Sequence, residues 1–313
     1  MTSPSDAMPN TSPDTDFPAQ AAAPAALSPT NPFLWSVRRE LWENGSLWIA
    51  PVIAAGVVLF GFLIGLAHLP SHVPLFQGEH GERHQVPPEA PYLFVAFVIV
   101  VTAMITGIFY CLGALHNERR DRTILFWKSL PVSDLTTVLA KLFAPMVILP
   151  VATFVIAAAT EAIIWGLSAV GAAASGSAFA AAFTNVQLVS MLGLLAYTLA
   201  VLSLWYAPVW GWCLLVGAWA RRVPFLWAAG APLALCVIEA IALQTSYVWR
   251  LLHTRLAAPA AAFSPPTHHG FMVNLSLADP VGFLTSPGLW IGLVFAAACI
   301  AAAVWLRRYR DPM

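Results

Sequence analysis

Long runs without a charge alternate with short polar stretches along this chain, and the pattern predicts six helices that cross a bilayer. A hydrocarbon core takes about 20 apolar residues per helical span. Runs of that kind occupy Leu47–Ala67, Tyr92–Leu115, Leu142–Trp165, Val186–Val216, Val223–Leu243 and Gly288–Leu306. In hydrocarbon each backbone N–H and C=O needs a partner within its own segment or a closed barrel, so these runs read as helices. The expected fold class is therefore all-α, a polytopic membrane protein with six transmembrane helices. Composition agrees: 59% of residues are hydrophobic, 10% are charged, and the mean hydropathy is +0.75.

Charge gives the spans a direction. Arg38, Arg39, Arg119, Arg120, Arg122, Lys128, Lys141, Arg221, Arg222, Arg307, Arg308 and Arg310 flank the spans on one side; Arg83, Arg250 and Arg255 flank them on the other. That split of twelve to three places both termini in the cytoplasm by the positive-inside rule. The fourth run is long for one crossing, and residues 162–220 hold no charge. If it crossed twice, breaking near Pro208, the split would fall to nine against six. One long helix, tilted or kinked at Pro208, is the better expectation.

Two segments outside the spans carry patterns of their own. Met1–Thr30 is rich in Pro, Ala, Ser and Thr, with three Asp and no basic residue. It lacks the basic start and apolar core of a secretory signal, and reads as a disordered cytoplasmic tail. The membrane domain is then 31–313. Asn31-Pro32 resembles a helix start, Asn as cap and Pro at the first helical position. Beyond it Phe33, Leu34, Val37 and Leu41 share one helical face, and Ser36, Arg39, Glu40 and Glu43 share the other. With Trp35, Trp42 and Trp48 nearby, this segment is expected to be an interfacial helix on membrane lipid, with Arg38, Arg39, Glu40, Trp42 and Glu43 as its characteristic residues.

The stretch from His116 to Lys141 is the most distinctive. Glu118, Arg119, Arg120, Asp121 and Arg122 precede the apolar Ile124, Leu125, Phe126 and Trp127, and Lys128 follows. Pro131 ends any helix at or before Leu130, and Ser133-Asp134 caps the third span. A short amphipathic helix between two spans fits either a groove on a partner protein or anionic lipid.

Here the sequence resembles the membrane-spanning permease subunits of ABC transporters of the ABC-2, type V exporter-like class. The resemblance rests on Arg38–Asn44, on Asp121–Asp134 and on Trp210-Gly211-Trp212 through Ala220–Phe225, and covers roughly residues 31 to 310. It departs from the family pattern at Asn44, where a basic residue is common. The resemblance implies a permease of a bacterial cytoplasmic (inner) membrane that forms the substrate path with a second copy or a paralogue. A separate P-loop ATPase would bind ATP and Mg, leaving no cofactor on this chain, and no nucleic acid is involved. The family's coupling helix maps onto Glu118–Leu130, with Phe126 and Trp127 anchored in the ATPase groove and Glu118, Arg119, Arg122 and Lys128 orienting it by charge. The chain itself has no G-x-x-x-x-G-K-[ST] loop.

Inside the spans, Glu161 and Glu239 are the ionisable residues to explain, since a carboxylate in hydrocarbon marks a functional site by default. Both fall toward the outer ends of their helices and either reach the interface or face the interior. A proton-coupled secondary transporter built on the two glutamates is the alternative function, and a membrane scaffold that recruits a cytoplasmic partner is another. His80-x-x-x-His84 has metal-ligand spacing if helical, but Gly78, Gly81 and Pro87-Pro88 argue against a helix, so no metal site is expected. The four Cys show no ligand spacing. An enzyme is not expected: there is no His-Glu-x-x-His pair, no intramembrane Asp pair, and no His central in a span. The loop before the last span has room for a short interfacial helix at Tyr247–Leu256, of the kind the resemblance implies, which the residues alone do not establish.

Overall fold

The computed structural model describes residues 32–68, 75–77, 83–85, 89–121, 133–175, 184, 186–257 and 278–309. The expected tail at 1–30 lies outside them, as do Arg122, Phe126, Trp127 and Lys128 of the expected coupling helix. Within them the architecture is helical, with one short antiparallel ribbon, β1 (Leu75–Gln77) and β2 (Arg83–Gln85). Six helices are long and apolar enough to cross a membrane: Ser46–Ala67, Pro91–Arg120, Asp134–Ala174, Leu188–Trp205, Pro224–Ala242 and Pro287–Tyr309. The chain is a multi-pass membrane protein by length and composition of these helices.

Helix α1 (Pro32–Glu43) begins at the proline, whose missing N–H is one of the orphans of a first turn in any case. Part of its polar face turns inward: Ser36 and Glu40 are buried, with the apolar Val37 beside them, while Leu34, Trp35 and Trp42 are exposed. Helix α2 (Ser46–His68) follows a turn at Asn44–Gly45, and α3 (Ala90–Arg120) returns alongside it. At 1.5 Å per residue, α3 is about 46 Å long and outreaches a ~30 Å hydrocarbon core.

The third span is interrupted but continuous. It runs through α4 (Asp134–Phe143), a π-helical turn at Ala144–Ile148, and α5 (Leu149–Ser175). Ser133 Oγ accepts the Thr136 N–H at 3.1 Å and caps its start, as the sequence predicts. Pro150 has no N–H to give the Met146 carbonyl one turn earlier, so that carbonyl loses its helical donor. The Ser203 hydroxyl, arriving from the next span, donates to it instead.

The fourth run divides where the sequence places a kink. Helix α6 (Leu188–Trp205) stops at Tyr206, and α7 (Ala207–Trp219) starts with Pro208 in its first turn. The two continue in one direction. Met191, Leu195 and Leu199 of α6 share an apolar cluster with Tyr92, Val95 and Ile99 at the start of α3. Farther along, Trp210 meets Gly107, and Gly217 meets Leu112. The run therefore continues in one direction rather than doubling back at Pro208. Helix α8 (Pro224–Ala242) turns back, α9 (Tyr247–Leu256) lies in the loop before the last span, and a short α10 (Pro280–Thr285) leads into α11 (Pro287–Tyr309).

The two largest apolar clusters among the described residues hold the bundle. One joins α3, α4, α7 and α11 around Trp210, Leu112, Leu214 and Ala303; the other joins α2, α3, α5 and α6 around Tyr92, Ile99 and Ala157. Close approach matters at Gly217, where a Cβ would lie 2.7 Å from the Leu112 carbonyl oxygen. Helix α8 is largely uncovered: Phe225, Leu226, Leu235, Ile238 and Ile241 are all exposed, as suits a face against lipid or another chain.

Candidate functional site

The start of α2, the end of α3, the start of α4, the corner after α7 and the end of α11 gather at one end of the bundle, which also holds α1. The loop 122–132 is rooted there, between Asp121 and Ser133. Charges that the sequence distributes among separate loops meet here in one buried network.

Glu40 of α1 is its centre, with a side chain 1% exposed. Its Oε1 accepts from Lys141 Nζ at 2.8 Å and from Arg39 Nη2 at 2.8 Å. Its Oε2 accepts from the Tyr110 hydroxyl at 3.0 Å and from Asn44 Nδ2 at 3.3 Å. Burial, the largest influence on this carboxyl, acts to raise its pKa, but the charges and hydrogen bonds of Lys141 and Arg39 outweigh it and hold it below the ordinary value. Lys141 Nζ also lies 3.0 Å from Glu118 Oε1, and Arg39 Nη2 lies 3.3 Å from the same atom. Glu118 Oε2 pairs with Arg307 Nη1 at 2.5 Å, while Arg307 Nε pairs with Asp134 Oδ1 at 2.9 Å. Three carboxylates thus meet three cations, and helices α1, α3, α4 and α11 are joined through them.

A second set of contacts fixes the neighbouring corner. Arg119 donates to the Ala218 carbonyl, and His116 Nδ1 lies 3.1 Å from the Ala220 carbonyl. A carbonyl only accepts, so Nδ1 carries the proton. Both side chains serve the last carbonyls at the end of α7, where basic groups also suit the helix dipole. The chain then turns sharply: Val223 has φ 45°, a left-handed conformation that a β-branched residue rarely takes, and Arg221 and Arg222 are exposed beside it.

The expected site residues divide accordingly. Glu118 and Arg119 point into the bundle and fix helix ends, and Arg39 and Glu40 belong to the same cluster. Arg38 and Trp42 remain at the surface, with the guanidinium 4.8 Å from the Trp42 ring centroid and 5.6 Å from that of Trp35. Glu43 is half exposed and 3.6 Å from Arg39. Lys141, Arg307, Asp134 and Tyr110 were not singled out as site residues by sequence reasoning. Lys141 carried a signal, being a lone charge inside the apolar run Leu139–Phe143.

The two intramembrane glutamates are far from this cluster and differ from each other. Glu239, at the end of α8, is spent on α9: it accepts from the backbone N–H groups of Tyr247 and Val248, each at 2.7 Å, and from Thr245 Oγ1 at 2.8 Å. It thus fills the role of an N-terminal cap. The other end of α9 is held by Arg255, which donates to the Gly288 carbonyl at 3.0 Å, stacks 4.3 Å from the Trp205 centroid, and lies so close to Gly292 that a Cβ there would overlap it. Glu161 has no comparable partners among the described residues. It is 2% exposed, and its Oε2 is without a hydrogen bond among them. No group of three or more potential metal ligands occurs among the described residues.

Comparison with protein-family models, characterised proteins and solved structures finds no match to this chain.

Proposed function

We propose that this chain is the membrane-spanning subunit of an ATP-driven ABC exporter, which forms the substrate path and takes its power stroke from a separate P-loop ATPase. In this reading the end of the bundle that holds the ion-pair network faces the cytoplasm, and the loop 122–132, with Phe126 and Trp127 as its apolar anchors, docks on the ATPase. A second copy or a paralogue completes the path.

The observation that supports the reading is the double attachment of Arg307. Glu118 precedes the loop and Asp134 follows it, and both carboxylates bind the same guanidinium on the last span. Through Glu118 the connection extends to Lys141, Glu40 and Arg39. A push on the loop is therefore delivered to α1, α3, α4 and α11 together rather than to one helix end. An element that moves several spans as a unit is what ATP-driven gating requires.

The test is transport in proteoliposomes holding this chain with the ATPase it purifies with. Solute movement should need ATP and should stop when Phe126 and Trp127 are both replaced by Ala. Movement driven by a pH gradient without any ATPase would replace this reading with a proton-coupled carrier.

A further inference from the structure

We propose that Glu161 is a proton-binding site inside the helical bundle, a carboxyl that is neutral when the bundle is packed. The proposal stands independently of the ATPase reading. Glu161 lies midway along α5, 2% exposed, with Oε2 lacking any hydrogen bond among the described residues. Ala157 and Ile164, one turn to either side of it on the same face of α5, belong with Tyr92, Val95, Ile99 and Met191 to one apolar cluster.

Among the described residues, no cation is placed to balance it. The elements packed against α5 are α2, α3, α6 and the π-helical turn. Helix α2 carries one titratable residue, His68 at its last position, and the turn Ala144–Ile148 carries none. Helix α6 offers only Tyr197. Helix α3 brings Tyr92, wholly buried and near enough to feel the charge of Glu161. Its other titratable groups, Tyr110, Cys111, His116, Glu118, Arg119 and Arg120, lie toward its far end; His116 is some 35 Å away by helical rise. Neighbouring hydroxyls are also committed: Thr160 donates to Ile156 O and Ser168 to Ile164 O.

An ionised carboxylate in such a place has lost its water and gained neither a counter-charge nor donors for both oxygens. Binding a proton removes the charge at once and needs no further group. Opening the seam between α3 and α5 would admit water and let the proton leave, so proton uptake accompanies closure of that seam. The contrast with Glu239 is instructive, because three donors already satisfy that carboxylate in place.

The test uses the full chain in lipid vesicles. Infrared difference spectra between wild type and Glu161→Gln should contain the carbonyl band of a neutral carboxylic acid, lost in the variant. A difference made up only of carboxylate bands overturns the proposal. Should Glu161→Gln fail to fold, wild type alone decides by chemical labelling. The apolar probe dicyclohexylcarbodiimide reacts with protonated carboxyls in apolar surroundings, so peptide mass spectrometry should find the adduct on Glu161. A water-soluble carbodiimide should leave Glu161 untouched. Labelling should decline with rising pH, by roughly tenfold per unit above the titration midpoint. Absence of the adduct from Glu161, or labelling independent of pH, contradicts the proposal.

Discussion

Glu118 and Asp134, at the two roots of one loop, share a single guanidinium: Arg307 Nη1 is 2.5 Å from the first and Arg307 Nε is 2.9 Å from the second. Removing Arg307 leaves two carboxylates short of their charge partner, one of them buried. Glu118 keeps Lys141 and Arg39, so the cost should fall below the ~3–5 kcal/mol of a buried charge left with no partner. Arg307→Ala is therefore expected to lower the thermal midpoint, followed by tryptophan fluorescence in detergent. Arg307→Lys, which cannot serve both carboxylates in fork geometry, should fall between the two.

Glu40 and Lys141 are the most deeply buried pair in the network, and their coupling can be measured directly. Glu40→Gln and Lys141→Met should each destabilise the fold, and the double variant should recover part of the loss. A double-mutant cycle is expected to give an interaction of about 1–3 kcal/mol, within the usual range for contacting residues. A coupling indistinguishable from zero would mean that the two side chains do not act as a pair.

The same carboxylate sets an acid limit. Its pKa is held below the ordinary value in the folded chain, so the unfolded chain binds the proton more readily. The stabilisation is complete above the unfolded value of about 4.5 and disappears as pH falls through the lower folded value. Wild type should lose stability steeply on acidification in that window, and Glu40→Gln should show a shallower dependence. Melting midpoints measured across an acid pH series check this.

Glycines divide by what surrounds them. Gly217→Ala would press a methyl group against the Leu112 backbone, which cannot rotate away, and should cost about 1–3 kcal/mol. At Gly166 and Gly230 an added Cβ would meet nothing within 4 Å. Alanine at either should be neutral or stabilise by roughly 0.5–1 kcal/mol through helix propensity. Thermal midpoints of the three variants settle the order.

Glu239 is expected to act locally. Glu239→Ala removes the acceptors for the Tyr247 and Val248 N–H groups, and amide hydrogen exchange should rise across Tyr247–Leu256 while the bundle remains folded. Unchanged exchange in that helix would show that Arg255 alone holds it.

Hydropathy made the helices legible because each span must satisfy its own backbone and present an apolar surface. The Pro208 interruption and the Ser133 cap were readable for local reasons of the same kind. The ion-pair network was not. Glu40 and Lys141 are 101 residues apart, and Glu118 and Arg307 are 189 apart, so no local pattern joins them. Counting loop charges for orientation treats them as solvated, whereas Glu118, Lys141 and Arg307 are drawn inside by one another. The polar face of α1 misleads for the same reason: in a membrane protein such a face can pack on the bundle while Leu34 and Trp42 face outward.

The central claim, that an ATPase drives this chain through the loop rooted on Arg307, is tested most directly by affinity purification from native membranes. Wild type is compared with a Phe126→Ala/Trp127→Ala variant of equal thermal stability. A P-loop ATPase identified by mass spectrometry with wild type, and lost with the variant, is the expected result. Absence of any such ATPase from wild type, even after gentle cross-linking in the membrane, would contradict the claim.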